Sequence, residues 1–149
     1  MTDSDRLQKA IELAAKAHAG QYRDNGEPFI LHPMRVMMSV DTLEEKTIAI
    51  LHDVVEDTGT TIENIKTILE LREYDANKIL HTLKLLTRYV DQGETYEQYI
   101  MVIVKNDKAT KIKLADLKDN LNMLSYEKAG DLQVKRFKKH HRAYKELTR

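Results

Sequence analysis

The run Ile48-Ala49-Ile50-Leu51-His52-Asp53-Val54-Val55-Glu56-Asp57 constrains this chain more than any other segment. Wound as a helix, its apolar residues cover almost the whole circumference, which marks a helix buried inside a core. Yet it carries ionisable groups on two adjacent stripes, His52 over Glu56 and Asp53 over Asp57, each pair at i,i+4. Three carboxylates within two turns repel one another, and burying them without partners is costly. Two arrangements relieve the conflict. The groups can face solvent at a helix end, since Thr58-Gly59 follows directly, or a bound cation can collect them. Adjacent His and Asp lie about 100° apart around a helix, so both can reach one ion seated against its flank.

The rest of the chain reads as helix too. Leu7, Ala10, Ile11, Ala14 and Ala17 recur at helical spacing, with Ser4 or Asp5 as cap and Gly20 beyond the end. Gln21 to Pro28 is rich in turn residues. His32-Pro33 reads as N-cap and first residue of a short helix through Val40. Asp41 or Thr42 caps a helix from about Leu43 to Asp57. Thr60 or Thr61, with Glu63 or Asn64, opens another that reaches Arg72. Further helices are expected at Asp75 to Thr87, around Tyr96 to Ile103, at Ala109 to Leu124 and at Asp131 to Leu147. Five glycines and two prolines among 149 residues leave little material for the turns of a sandwich. With no repeat or linker, the expectation is one all-α domain of seven or eight helices over residues 1–149.

Composition removes several functions. Without cysteine there is no disulfide frame, no thiolate nucleophile and no Cys-type zinc site. Lys and Arg number 24, as do Asp and Glu, so net charge points to neither a nucleic-acid polymer nor a membrane surface. No apolar run approaches a membrane span and Met1 to Asp5 carries no signal-type apolar stretch, so a cytoplasmic protein is expected. The last helix is locally basic, with Lys135, Arg136, Lys138, Lys139, Arg142, Lys145 and Arg149 against Asp131 and Glu146. It reads first as a solvated face over a stripe of Leu132, Phe137, Tyr144 and Leu147, and second as a phosphate-attracting surface.

Distant partners decide whether the His52-Asp53 pair binds metal. His32 stands before a proline that stiffens its backbone, although it can equally serve as a cap. Asp116 and Asn120 share a helix face among Ile112, Leu114, Ala115, Leu117 and Leu121, which also suits an ordinary amphipathic helix.

Four segments, in order, resemble the HD-domain metal-dependent phosphohydrolases, specifically the RelA/SpoT-type hydrolase domain and its small stand-alone relatives. They are Ala17-His18-Ala19-Gly20-Gln21-Tyr22-Arg23, Gly26-Glu27-Pro28-Phe29-Ile30-Leu31-His32-Pro33, Leu51-His52-Asp53-Val54-Val55-Glu56-Asp57-Thr58 and Lys113-Leu114-Ala115-Asp116. The resemblance implies an all-α HD bundle in which His32, His52, Asp53 and Asp116 are metal ligands. It makes Glu56 and Asp57 the acidic pair that handles the attacking water. It places Arg23 against a nucleotide base and Asn120 near the sugar. The implied ion is one divalent cation, typically manganese, and the implied reaction removes the 3′-pyrophosphate of guanosine tetra- or pentaphosphate. No synthetase or regulatory domain is expected.

The chain also departs from the pattern. Asp116-Leu117-Lys118-Asp119-Asn120 stands where the family usually reads Asp-Arg-Leu-His-Asn, and Asp24 stands where a basic residue commonly follows the arginine. Met123 replaces a frequent small hydroxyl residue. These changes remove positive charge that a tetraphosphate would use. Two alternatives therefore stand beside the alarmone reading. One is an HD phosphohydrolase acting on a less anionic nucleotide, and the other is a non-catalytic nucleotide-binding module.

Overall fold

The computed structural model describes residues 1–122 and 131–149. Its helices are α1 (Asp3–Ala17), α2 (Leu31–Met38), α3 (Leu43–Leu51), α4 (Val54–Asp57), α5 (Ile62–Ile68), α6 (Glu73–Leu86), α7 (Tyr96–Ile103), α8 (Asp107–Asn122) and α9 (Asp131–Leu147), with a 3-10 turn at Val90–Gln92. The expected all-α architecture is therefore found. β pairing among the described residues is limited to one isolated bridge, Tyr22 with Pro28. No helix there is long and apolar enough to cross a membrane.

Helix starts follow from local chemistry. Thr2, Thr42, Thr61 and Thr95 each accept from a backbone N–H three residues on, and the side chains of Asp5, Glu45, Asn64 and Gln98 reach back to the cap. Each such box satisfies two otherwise orphaned donors and contributes about 1 kcal/mol. The cap of α1 is thus Thr2 rather than Ser4 or Asp5, because Asp5 is the returning member of the box.

The centre of the molecule is α3. Ile48, Ala49, Ile50 and Leu51 are fully buried, and α3 packs against α1, α2, α6 and α8. Each large aliphatic side chain removed from water there contributes roughly 1.5–3 kcal/mol. Helix α2 packs across α3 and α8, and α9 covers α8 and α7.

Three boundaries differ from expectation, each for a physical reason. First, α2 begins at Leu31, so His32 lies within its first turn and is not its cap. Pro33 still falls among the first residues, whose N–H groups have no helical acceptor. Second, the helix expected from Leu43 to Asp57 breaks at His52-Asp53 into α3 and α4. There the Ala49 carbonyl takes both the His52 backbone N–H at 3.4 Å and the His52 Nδ1 at 2.7 Å. The imidazole competes for the backbone acceptor and interrupts the ladder. Third, α5 stops at Ile68 instead of reaching Arg72. Leu71 N–H returns to the Lys66 carbonyl and Glu70 N–H to that of Thr67, closing a Schellman cap with Glu70 left-handed at φ 49°. No glycine marks that position. The Leu124 end expected for α8, Met123, and the side chains of Leu132 and Phe137 lie outside the described part.

Ile48→Ala should leave the helical far-UV spectrum intact while lowering stability by about 2–5 kcal/mol, because a fully buried site cannot collapse around the void. Urea unfolding reads this, and a loss below about 1 kcal/mol would show that α3 is not the packing centre.

Candidate metal centre

Three separate elements deliver the four residues. The first turn of α2 supplies His32, the α3–α4 break supplies His52 and Asp53, and α8 supplies Asp116. His32 Nε2 lies 2.9 Å from Asp116 Oδ1 and 3.5 Å from Asp53 Oδ2. His52 Nε2 lies 3.0 Å from Asp53 Oδ2 and 3.4 Å from Asp116 Oδ1. Ligands held about 2.1 Å from one first-row ion sit about 3.0–3.4 Å from their neighbours, from octahedral to tetrahedral geometry. The four imidazole–carboxylate distances, 2.9–3.5 Å, lie close to that spacing, with His32, His52 and Asp53 as the compact set and Asp116 meeting it through the two imidazoles.

The imidazoles are also oriented for it. His52 Nδ1 is 2.7 Å from the Ala49 carbonyl, and His32 Nδ1 is 2.7 Å from Asp119 Oδ2. With the proton engaged on Nδ1, each Nε2 lone pair faces the centre. His52 Nε2 is buried and makes no well-aligned hydrogen bond, although two carboxylates lie close by. Two imidazoles and two carboxylates so placed are balanced by a cation between them or by protons on the imidazoles. Mixed nitrogen and oxygen donors suit a divalent first-row metal, and His32, His52 and Asp53 together form a compact candidate cluster. The residues fit such an ion.

Without one, protons balance the charge. Burial opposes protonation of His32, but hydrogen bonds to Asp116, Asp119 and Asp53 outweigh it and lift its pKa to about 9. His52 is raised likewise against its burial, chiefly by the Asp53 charge. Burial pushes Asp53 and Asp116 up, yet His52 beside the first and Lys113 beside the second hold both well below the usual range.

A cavity of about 230 Å³ opens beside the four atoms. Glu56 and Asp57 stand at its edge, both reaching solvent. Partial burial, reinforced by the Asp53 charge, raises Glu56 to about 7 and Asp57 to about 6. The lining is otherwise largely cationic and aromatic, with Arg23, Arg88, Tyr96, Lys113, Lys139 and His140. Lys113 is buried, with Nζ 2.6 Å from Asp116 Oδ2 and 5.2 Å from the Tyr99 ring centre. Lys139 Nζ sits 4.4 Å from the Tyr96 ring centre. Asn120 bridges Asp116 and Arg23, donating to Asp116 Oδ1 at 3.1 Å and accepting from Arg23 Nη2 at 2.8 Å.

Seven of the eight residues singled out from the sequence line one cavity, and the eighth, His52, is buried with its Nε2 3.0 Å from Asp53 Oδ2. Sequence reasoning missed Arg88, Tyr96 and His140 as members. Arg88 follows a helix end with no periodic signal, and Lys139 and His140 were hidden in a basic run of which only this part faces inward. Lys113 was visible only as part of a motif.

The two added carboxylates are ion-paired, while Leu117 and Asp119 still stand where the resemblance implies an arginine and a histidine. Asp119 is neutralised by Arg35 at 2.6 Å and Arg23 at 3.3 Å, and Asp24 by Arg136 at 2.7 Å. Leu117 is buried in the core. A larger groove of about 770 Å³ lies between α2 and α8, lined by Leu31, Met34, Met38 and Leu114. It is mainly apolar, and its Arg35 and Asp119 are already ion-paired, so the chemistry belongs to the smaller cavity.

Comparison with known proteins agrees with this geometry. The family model described as HD domain matches residues 10–140, and the chain belongs to the HD-domain family. A guanosine-3′,5′-bis(diphosphate) 3′-pyrophosphohydrolase of Borreliella burgdorferi is 36% identical over 79% of this chain and 19% of its own length. The bifunctional (p)ppGpp synthase/hydrolase SpoT of Escherichia coli is 36% identical over 80% of this chain and 18% of its own. The chain thus spans about a fifth of these curated relatives. A solved structure of a metazoan ortholog of SpoT that hydrolyses ppGpp superposes with a TM-score of 0.74, covering 95% of this chain and 85% of that one. At 19% identity, that likeness establishes the fold.

The raised Glu56 pKa makes a prediction for metal-free protein. Its folded pKa of about 7 exceeds the ordinary 4.5, so the folded state binds more protons within that window. Stability therefore falls as pH rises through it. Glu56→Gln should gain stability over the parent between these pH values and hold the gain above them, measured by urea unfolding with chelator. Parallel pH profiles for the two proteins would refute the assignment.

Proposed function

We propose that this chain is a metal-dependent phosphohydrolase, and that its substrate is guanosine 3′,5′-bis(diphosphate), cleaved to GDP and pyrophosphate. The observation that carries the reading is the convergence of His32, His52, Asp53 and Asp116 at 2.9–3.5 Å beside an acidic pair and a cation-lined cavity. The named activities of the curated relatives support the substrate. We further propose one HD unit over residues 1–149, manganese as the ion, and a cytoplasmic setting where such nucleotides occur.

His32, His52, Asp53 and Asp116 would hold the ion. When bound, it supplies a Lewis acid for a phosphoryl oxygen and lowers the pKa of a water. Glu56, a carboxylate on the cavity lining beside Asp53, takes the proton of the attacking water. Asp57 orients the same water. Arg88, Lys113 and Lys139 offset phosphate charge, Arg23 lays its planar guanidinium on the base, and Asn120 offers amide hydrogen bonds to the sugar. Phosphoryl transfer needs mainly positioning and charge stabilisation, and these groups provide both.

The ion pairs at Asp24 and Asp119 lessen the repulsion those two carboxylates would offer an anionic ligand. Manganese-loaded protein should release pyrophosphate from the tetraphosphate. Much faster hydrolysis of a simpler nucleotide would overturn the substrate while preserving the reaction class. Asp53→Ala should abolish metal binding and turnover together. Glu56→Gln should keep the ion and lose on the order of 10²-fold or more in rate. Metal analysis beside the kinetics distinguishes these outcomes, and equal metal loss in both variants would remove Glu56 from the water-handling role.

A further inference from the structure

We propose that Asp119 is a positioning residue for His32, fixing the tautomer and aim of that imidazole toward the metal; this rests on the metal reading above. The residue lies outside the family pattern, which has a histidine at this point. It lies three residues after Asp116, so one side of α8 carries both a proposed ligand and the support for another.

The contacts define its chemistry. Asp119 Oδ2 is 2.7 Å from His32 Nδ1, 3.1 Å from Arg35 Nη2 and 3.3 Å from Arg23 Nη1, and Oδ1 is 2.6 Å from Arg35 Nε. Every neighbour in this set is a donor, and both oxygens are used. Only an ionised carboxylate accepts on both sides; an asparagine amide would set its own N–H groups against either His32 or Arg35. Arg35 is anchored in turn by two bonds to Glu27, at 2.7 and 2.8 Å. The Asp119 side chain, 11% exposed, therefore has little room to swing away.

An imidazole that donates Nδ1–H to a carboxylate becomes a stronger donor at Nε2 and is locked in rotation. The two proposed histidine ligands differ here. The peptide carbonyl of Ala49 holds His52, whereas a side chain open to substitution holds His32. Through Arg23, the same carboxylate also ties the metal side of the cavity to the wall assigned to the base.

The test is manganese(II) titration calorimetry on the full chain and on Asp119→Ala, Asp119→Asn and Arg35→Met, with melting temperatures of the metal-free proteins. Asp119→Ala should bind manganese about 10–100-fold more weakly, and the isosteric Asp119→Asn should also weaken it by about 10-fold. Arg35→Met removes one of the two arginine partners but leaves the His32–Asp119 bond and the Arg23 contact. It should melt lower while retaining nearly parental affinity. Nitrogen-detected spectra of the zinc-loaded forms should keep a strongly hydrogen-bonded, slowly exchanging Nδ1–H on His32 in Arg35→Met and lose that hydrogen bond in Asp119→Ala. Parental affinity in both Asp119 variants would overturn this proposal alone. So would an equal loss in Arg35→Met, which would make Asp119 a structural ion-pair partner. A parent protein that binds no manganese would overturn the metal reading and this inference together.

Discussion

The confrontation of His32 and His52 with Asp53 and Asp116 is the interaction on which the rest of the structure depends. Buried carboxylates without compensation are among the costliest groups a protein can hold. Here the cost is met from several directions. Imidazoles face the carboxylates, and Lys113 grips the second oxygen of Asp116 at 2.6 Å. Arg35 and Arg23 surround Asp119 behind them. The aliphatic packing of α3 supplies the rigid floor that keeps these charges within contact distance.

The backbone accommodates the same demand. A continuous helix from Leu43 to Asp57 would have left the Ala49 carbonyl to the helical ladder. Its capture by His52 breaks the helix and orients the imidazole in one step. The ring is thereby secured by main chain, the least mutable acceptor available. Around it, the rings of His18, Phe29, His32 and His52 stand in successive contact, with centres 4.7, 5.9 and 5.2 Å apart. His18, His32 and His52 are buried, and the low local dielectric strengthens the electrostatic interactions they make.

Charges of both signs meet in the cavity. Glu56 and Asp57 line the same cavity as Arg88, Lys113 and Lys139, with the Arg88 backbone N–H on Glu56 and Lys113 on Asp116. A polyphosphate entering it would meet countercharge, while a water beside the ion would meet a base. Overall neutrality of the chain conceals this local concentration of charge. Net charge describes long-range attraction, whereas the local field in a partly dry cavity depends on which few charges face it.

Helical periodicity, threonine caps and the scarcity of glycine and proline were enough for the all-α fold and for most helix boundaries, because these properties act through neighbouring residues. The buried His52-Asp53 segment was legible for the same reason: ionisable groups on an otherwise apolar helix require an explanation wherever the helix lies. Motif order brought His32, Asp116, Arg23 and Asn120 into view. The break after Leu51 and the glycine-free cap at Glu70 were not legible, since both depend on competition for particular carbonyls. Nor were the roles of Asp119 and Asp24. Their sequence neighbours count them as added negative charge, but their neutralising arginines are 84 and 112 residues away along the chain. Spacing within one helix can say which side chains share a face. Only the packing of α2, α8 and α9 decides which distant charges meet there.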